Sequence, residues 1–195
     1  MPRSKAARRP SKAQRIKTAY HEAGHAVINR VLTLTCGPTT IKPDYEKQEW
    51  GHSISIALEH EWERCGKYRG PNAVWHAQII SRMAGAEAER ELLDTESEGD
   101  HDDRLQIACV VSEFVPEDYF WDKLEPRLRA MTRMLVRRHK ASIKRVAEAL
   151  LAKTTLSGAQ LDKLVGGGRR RGATPPAPAS DPAAPRAPRR RARNQ

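Results

Sequence analysis

The pentapeptide His21-Glu22-Ala23-Gly24-His25 places two imidazoles and a carboxylate at a spacing that suits one divalent metal ion. On a helix, residues i and i+4 lie one above the other on a single face, so ring nitrogens of His21 and His25 can reach the same ion. Glu22 stands one step round that helix, in reach of a water on the metal rather than of the metal itself. Zinc with three protein ligands keeps an open fourth position and lowers the pKa of its water toward neutrality. Glu22 is then the general base that takes the water's proton and passes it to the leaving amine, the chemistry of a zinc metalloendopeptidase. The competing reading is a solvated surface helix that carries the pentapeptide by chance. Gly24 weighs against it, because glycine inside a helix costs about 1 kcal/mol relative to alanine. A helix that carries this cost near its middle usually gains from the missing side chain.

The elements that must position these residues can be read from periodicity. A first helix is predicted from Gln14 to about Leu34, with Tyr20, Val27, Ile28, Val31 and Leu32 on one apolar stripe. Cys36-Gly37-Pro38 is its expected stop. Two short extended segments follow, Thr39 to Pro43 and Gly51 to Leu58, the second alternating polar and apolar residues like a half-buried strand. Asp44 to Trp50 is charged and loop-like, and 59–72 contains the breakers Gly66, Gly70 and Pro71. A second helix is expected over Asn72–Leu93, with Trp75, Ile79, Ile80, Met83, Ala84, Ala88 and Leu92 on its buried side. An acidic turn at 94–103 leads to a third helix from Arg104 to Phe114. A final pair covers Asp122–Arg138 and Ser142–Lys153, and a short last turn runs from Leu156 through Val165. No internal repeat is visible. The fold class is mostly α with a small β-sheet (α+β).

Beyond the pentapeptide, the stretch Thr18-Ala19-Tyr20-His21-Glu22-Ala23-Gly24-His25-Ala26-Val27 resembles the active-site helix of the FtsH-type zinc metallopeptidases. The run from Ile79 to Arg90 (IISRMAGAEAER) is similar to that family's Gly-Gly-Arg-Ala-Ala-Glu-Glu helix. Gly99-Asp100-His101-Asp102-Asp103 stands where the family has a Gly-Ala-Ser-Asn-Asp turn, and His139 to Leu161 resembles the helical end of the same peptidase domain. The four segments occur in the family's order and span about residues 14–165. The resemblance implies an FtsH-like peptidase domain with a bound Zn2+ and a short edge-strand sheet. It also implies that the third ligand is the aspartate closing the Gly-x-x-x-Asp turn, which falls on Asp103. Helical phase agrees, since Asp103 puts Ile107 and Val111 inward at +4 and +8, whereas Asp102 would put Gln106 and Val110 there. His101 is the rival ligand, because imidazole also suits zinc. Glu89 matches an acidic position whose role is to accept the free ring N–H of a ligand histidine, the alternative being an exposed glutamate beside Arg90. The strand containing Ser53, Ile54, Ser55 and Ile56 resembles the edge that holds extended peptide substrates by backbone pairing, the alternative being a plain structural edge. His52 and His60 lack helical spacing to the histidine pair and read as surface residues.

Composition bounds the rest. The formal net charge of +11 is concentrated at the ends, with seven Lys and Arg but no acid in residues 1–17 and an Arg/Pro/Ala-rich stretch over 169–195. Such a segment has too little to bury to offset its ordering entropy. The expected organisation is a basic disordered arm (1–13), a metallopeptidase domain (14–165) and a disordered tail (166–195). Cys36, Cys65 and Cys109 are odd in number and without CxxC spacing, which suggests reduced thiols in a cytoplasmic protein. No apolar run reaches the 18 residues of a membrane span, and the N-terminus lacks the apolar core of a secretory signal. The family's ATPase half has no counterpart here, for no GxxxxGK[ST] occurs. The expected partners are unfolded or exposed polypeptide and a separate ATP-dependent unfoldase. A second class of function is a nucleic-acid-tethered or catalytically inactive binding protein that uses the basic tails for salt-sensitive contact with phosphates. The tail from 169 to 195 has no aromatic residue for base stacking.

Overall fold

The computed structural model describes residues 10–34, 36–43, 51–55, 71–95, 100–114 and 121–166. Helix α1 runs Lys12–Val31 and β1 Cys36–Thr40, followed by β2 at His52–Ser55. Helices α2 (Pro71–Leu93), α3 (His101–Phe114) and α4 (Trp121–Lys153) come next, then β3 (Thr155–Leu156) and α5 (Gly158–Gly166). The architecture is mainly helical with one small antiparallel sheet of order β2-β1-β3. No described helix is long and apolar enough to cross a membrane.

Helix α1 begins where the Ser11 hydroxyl accepts from the Gln14 N–H at 3.1 Å, satisfying one of the donors that a helix start leaves over. It ends earlier than expected. Thr33, with φ 60°, takes the left-handed position usually given to glycine. Its N–H bonds Arg30 O at 3.1 Å while Leu34 N–H reaches back to Asn29 O at 2.8 Å, the two bonds of a Schellman cap. Cys36-Gly37-Pro38 is therefore not the helix stop but the start of β1. Its Gly-Pro falls at the irregularity between the pairings Cys36–Ser55 and Thr39–Ser53, where a proline without an N–H does least harm to a ladder.

Helices α1, α2 and α4 wall a common core that contains Ala23, Val27, Ile28, Trp75, Ile79, Met83, Val136, Ile143, Val146 and Leu150. The expected pair of helices at the C-terminal end is one helix of 33 residues. His139-Lys140-Ala141 contains no breaker, and the stripe of Leu128, Thr132, Val136, Ile143, Val146 and Leu150 continues unshifted through the supposed gap. Pro126 is tolerated in the second turn, near the start where few intrahelical bonds are lost. Helix α4 is fastened to α2 by ionic contacts. The fully buried Glu87 accepts from Arg129 and Arg90, each at 3.1 Å, and Arg137 grips Glu91 at 2.6 and 2.9 Å. Arg30 fastens α1 to α5, donating to Asp162 at 2.7 Å and to the Gly158 carbonyl at 3.2 Å.

Helix α4 stops at Thr154, with φ 67°, whose N–H bonds Leu150 O at 2.7 Å and whose carbonyl then accepts from Ile41 N–H at 2.9 Å. A β-branched residue in this region is strained by roughly 1–2 kcal/mol, and glycine returns roughly 0.5–1 kcal/mol of that through its unfolded-state freedom. Thr154→Gly is therefore expected to stabilise the fold slightly and to raise the thermal midpoint by a degree or more. A lowered midpoint in a melting experiment would show that the left-handed cap carries no strain.

Candidate metal centre

The approach of α1 to α2 is set by two glycines with different tasks. A Cβ on Gly24 would lie 2.5 Å from the Ala84 carbonyl oxygen and 2.9 Å from Ala88 Cβ, so only glycine lets the two backbones come this close. On the facing helix, a Cβ on Gly85 would lie 2.5 Å from His25 Nε2 and 2.6 Å from His21 Nε2. The space that this missing side chain leaves is the space onto which both imidazoles open.

Both rings are held from behind. His21 Nδ1 meets Glu89 Oε1 at 2.7 Å, and His25 Nδ1 meets the Ser81 carbonyl oxygen at 2.8 Å. A carbonyl can only accept, so Nδ1 of His25 carries the hydrogen. The Glu89 carboxylate imposes the same on His21. Each Nε2 is thereby turned inward, and Oδ2 of Asp103 lies 3.1 Å from both of them. One donor atom from each of His21, His25 and Asp103 lies within 4.8 Å of the others. The rings are edge to face at 76°, and both Nε2 atoms converge on the one Asp103 oxygen. Two imidazole nitrogens and one carboxylate oxygen make a donor set suited to zinc, with second partners that fix the tautomers. The residues present fit the ion.

Asp103 sits in the first turn of α3, where the helix N-terminus favours a carboxylate. Ile107 is buried and Gln106 exposed, as the helical phase predicts, but Val110 is buried and Val111 only partly so, a correction to that phase; it is the contacts of Asp103 with both rings that place it toward α1. His101 is exposed at the first position of α3 and is not among the convergent donors. Glu89 is buried rather than a solvated neighbour of Arg90. Glu22 is buried beside the two rings and lies against Gly51, whose added Cβ would meet Glu22 Cγ at 3.1 Å. Ser53, Ile54 and Ser55 belong to β2, an edge strand among the described residues, and His52 begins it. Ile56, His60 and Cys65 lie outside the described residues, as do both charged ends, residues 1–9 and 167–195. Cys36 and Cys109 are in no disulfide.

The sequence reading missed Ser81, whose backbone carbonyl orients His25 and whose hydroxyl donates to the buried Asn29 on α1. A carbonyl contact has no residue-type signature, and Ser81 reads as one more small position on a buried helix. It also missed Gly85, visible only as part of an Ala-Gly-Ala run.

Without metal, the three donors share protons. Burial opposes charge on His21, but its bonds to Asp103 and Glu89 outweigh this and push its pKa up to about 10. His25 moves upward likewise, burial again being overcome by Asp103, and Asp103 is held well below the usual carboxylate range despite its own burial. The charge pairing therefore steadies the metal-free fold between the ordinary carboxylate and imidazole ranges. It is lost as pH falls through the Asp103 pKa and as pH rises from 6.5 through about 10. Zinc requires the unprotonated imidazoles, so its uptake strengthens over the same rise.

Compared with known proteins, the chain matches no family model and no curated sequence.

Two measurements test the centre. Metal-free protein should take up about one zinc per chain. Gly85→Ala should abolish uptake, while Glu89→Gln should weaken it by about 10- to 100-fold. Full uptake by Gly85→Ala would show that the ion does not sit between the rings. Zinc affinity between pH 6 and 8, corrected for the competing chelator, should tighten by about tenfold per unit for each proton displaced. An affinity that stays flat over this range contradicts the shared-proton arrangement.

Proposed function

We propose that this chain is a zinc metalloendopeptidase of the FtsH type, which hydrolyses peptide bonds in unfolded or exposed polypeptide. The observation that carries this reading is the convergence of His21 Nε2, His25 Nε2 and Asp103 Oδ2, with both Nδ1 atoms already engaged behind them. His21, His25 and Asp103 would hold the zinc. When bound, the ion supplies a Lewis acid that acidifies water and polarises a carbonyl.

The chain's own residues provide the proton handling and the substrate alignment. Glu22 follows a ligand directly on α1 and is buried in contact with Gly51, so its carboxylate is confined to the neighbourhood of the donors. From there it takes the proton of the attacking water and delivers it to the departing amine. Gly51 leads into β2, whose outer edge has no strand partner among the described residues. An extended peptide pairing with that edge runs past Glu22, and main-chain pairing accepts many sequences. The order of the four family-like segments supports the same reading: the histidine helix, the helix with Glu89, the turn with Asp103 and the helical end. Folded substrates would reach such a centre only after an ATP-dependent unfoldase has opened them.

Glu22→Gln keeps the size of the side chain and removes its basicity. Zinc content should stay at the wild-type level, while cleavage of unfolded casein falls by at least about 100-fold. Casein cleavage that persists in this variant, or zinc-loaded wild-type protein that cuts no unfolded chain, would overturn the peptidase reading.

A further inference from the structure

Arg82 lies on α2 three residues before Gly85, and its Nε donates to Gln106 Oε1 at 3.1 Å, three residues after Asp103 on α3. The Arg82–Gln106 contact is therefore one helical turn along the α2–α3 seam from the metal centre, about 5–6 Å on. The guanidinium is half-buried, and its other contacts are the Gln78 carbonyl at 3.3 Å and Gln78 Oε1. All of its acceptors are neutral oxygens. None of the ion pairs formed by described residues includes Arg82, whereas Arg30, Arg90, Arg104, Arg129 and Arg137 each hold a carboxylate. Burial pushes the Arg82 pKa down, and the more distant charges of Asp103 and Cys109 oppose this only in part. Removing a cation from water without a counter-ion is costly.

A second group beside it is also unsatisfied. Gln78 is 1 % exposed, and its Nε2 has no hydrogen-bond partner. That nitrogen is carried on the same carbon as the oxygen that holds Arg82, so a buried donor and an uncompensated cation stand together next to the metal centre. A carboxylate is the complement of such a pair, because it accepts from both and supplies the missing charge.

We propose that Arg82 and Gln78 form a subsite for a carboxylate of the bound peptide, either its C-terminal carboxylate or an acidic side chain close to the scissile bond. The inference takes its substrate class from the peptidase reading and narrows it. The metal centre then acts preferentially on chains that carry a carboxylate near the cut.

The test uses the full chain, zinc-loaded, as the Glu22→Gln variant, so that peptide bound is not consumed. Three fluorescent hexapeptides share a neutral sequence. One has a free C-terminus, one an amidated C-terminus and a single Glu, and one an amidated C-terminus and no acid. Fluorescence anisotropy should show at least one acidic peptide binding about tenfold or more tighter than the neutral one, and which acidic peptide wins identifies the source of the carboxylate. The preference should vanish on adding Arg82→Met. It should also vanish on adding Gln78→Glu, which keeps side-chain size and gives Arg82 an internal carboxylate, so that a loss of folding in the first variant does not decide the matter. Equal binding of all three peptides, binding of none, or a preference that survives Gln78→Glu would overturn the subsite. Wild-type protein that cuts the neutral peptide without acidic preference refutes the subsite and leaves the peptidase reading. An acidic preference in binding with no cleavage of any peptide by wild-type protein does the reverse.

Discussion

The backbone contact between Gly24 on α1 and the Ala84 carbonyl on α2 is the constraint on which the rest of this molecule depends. With Gly24 pressed to a spacing at which a Cβ would lie 2.5 Å from that oxygen, His21 and His25 are delivered onto Gly85 rather than held a methyl group away. Glu89 and the Ser81 carbonyl, on the same helix as Ala84, come within hydrogen-bond reach of the outer ring nitrogens through that same approach. One helix pair therefore supplies both donor imidazoles, the groups that orient them and the room between them. Only the third donor has to come from elsewhere.

Polar groups are treated differently in the two halves of the structure. Where α2 meets α4, charge is matched: Glu87 with Arg129 and Arg90, Glu91 with Arg137. Along the α2–α3 seam the matching is incomplete: Arg82 donates only to neutral oxygens, and the buried Gln78 Nε2 has no hydrogen-bond partner. A buried polar group that lacks a structural partner is tolerated where binding supplies one. That contrast separates the residues that hold the fold from those that face a ligand.

Much of this was legible in the sequence, because helix faces and breakers are local signals. The apolar stripe from Trp75 to Leu92 gives α2 to within a residue, and the alternation after Gly51 places β2. Errors arose where a local signal was outvoted. Cys36-Gly37-Pro38 has the composition of a helix stop, yet Thr33 takes the left-handed position three residues earlier, and the Gly-Pro serves a strand irregularity instead. The division of α4 at residues 139–141 had no breaker behind it, and the continuous stripe prevails. At the centre, the i, i+4 histidines are readable from spacing alone. The choice of Asp103 over Asp102 rested on helix phase, and its choice over His101 on the family resemblance. The Ser81 carbonyl and the vacancy over Gly85 are properties of packing between helices, and no residue pattern announces them.

The order in which the chain supplies its parts has a further consequence. All three donors are present once the first 114 residues exist, but α4, which walls the core side of α1 with Val136, Ile143 and Leu150, is encoded entirely afterwards. During synthesis the imidazoles and the aspartate therefore emerge before the helix that presses α1 into place. The packing that sets the approach of α1 to the core is complete only when residues 121–153 have been made.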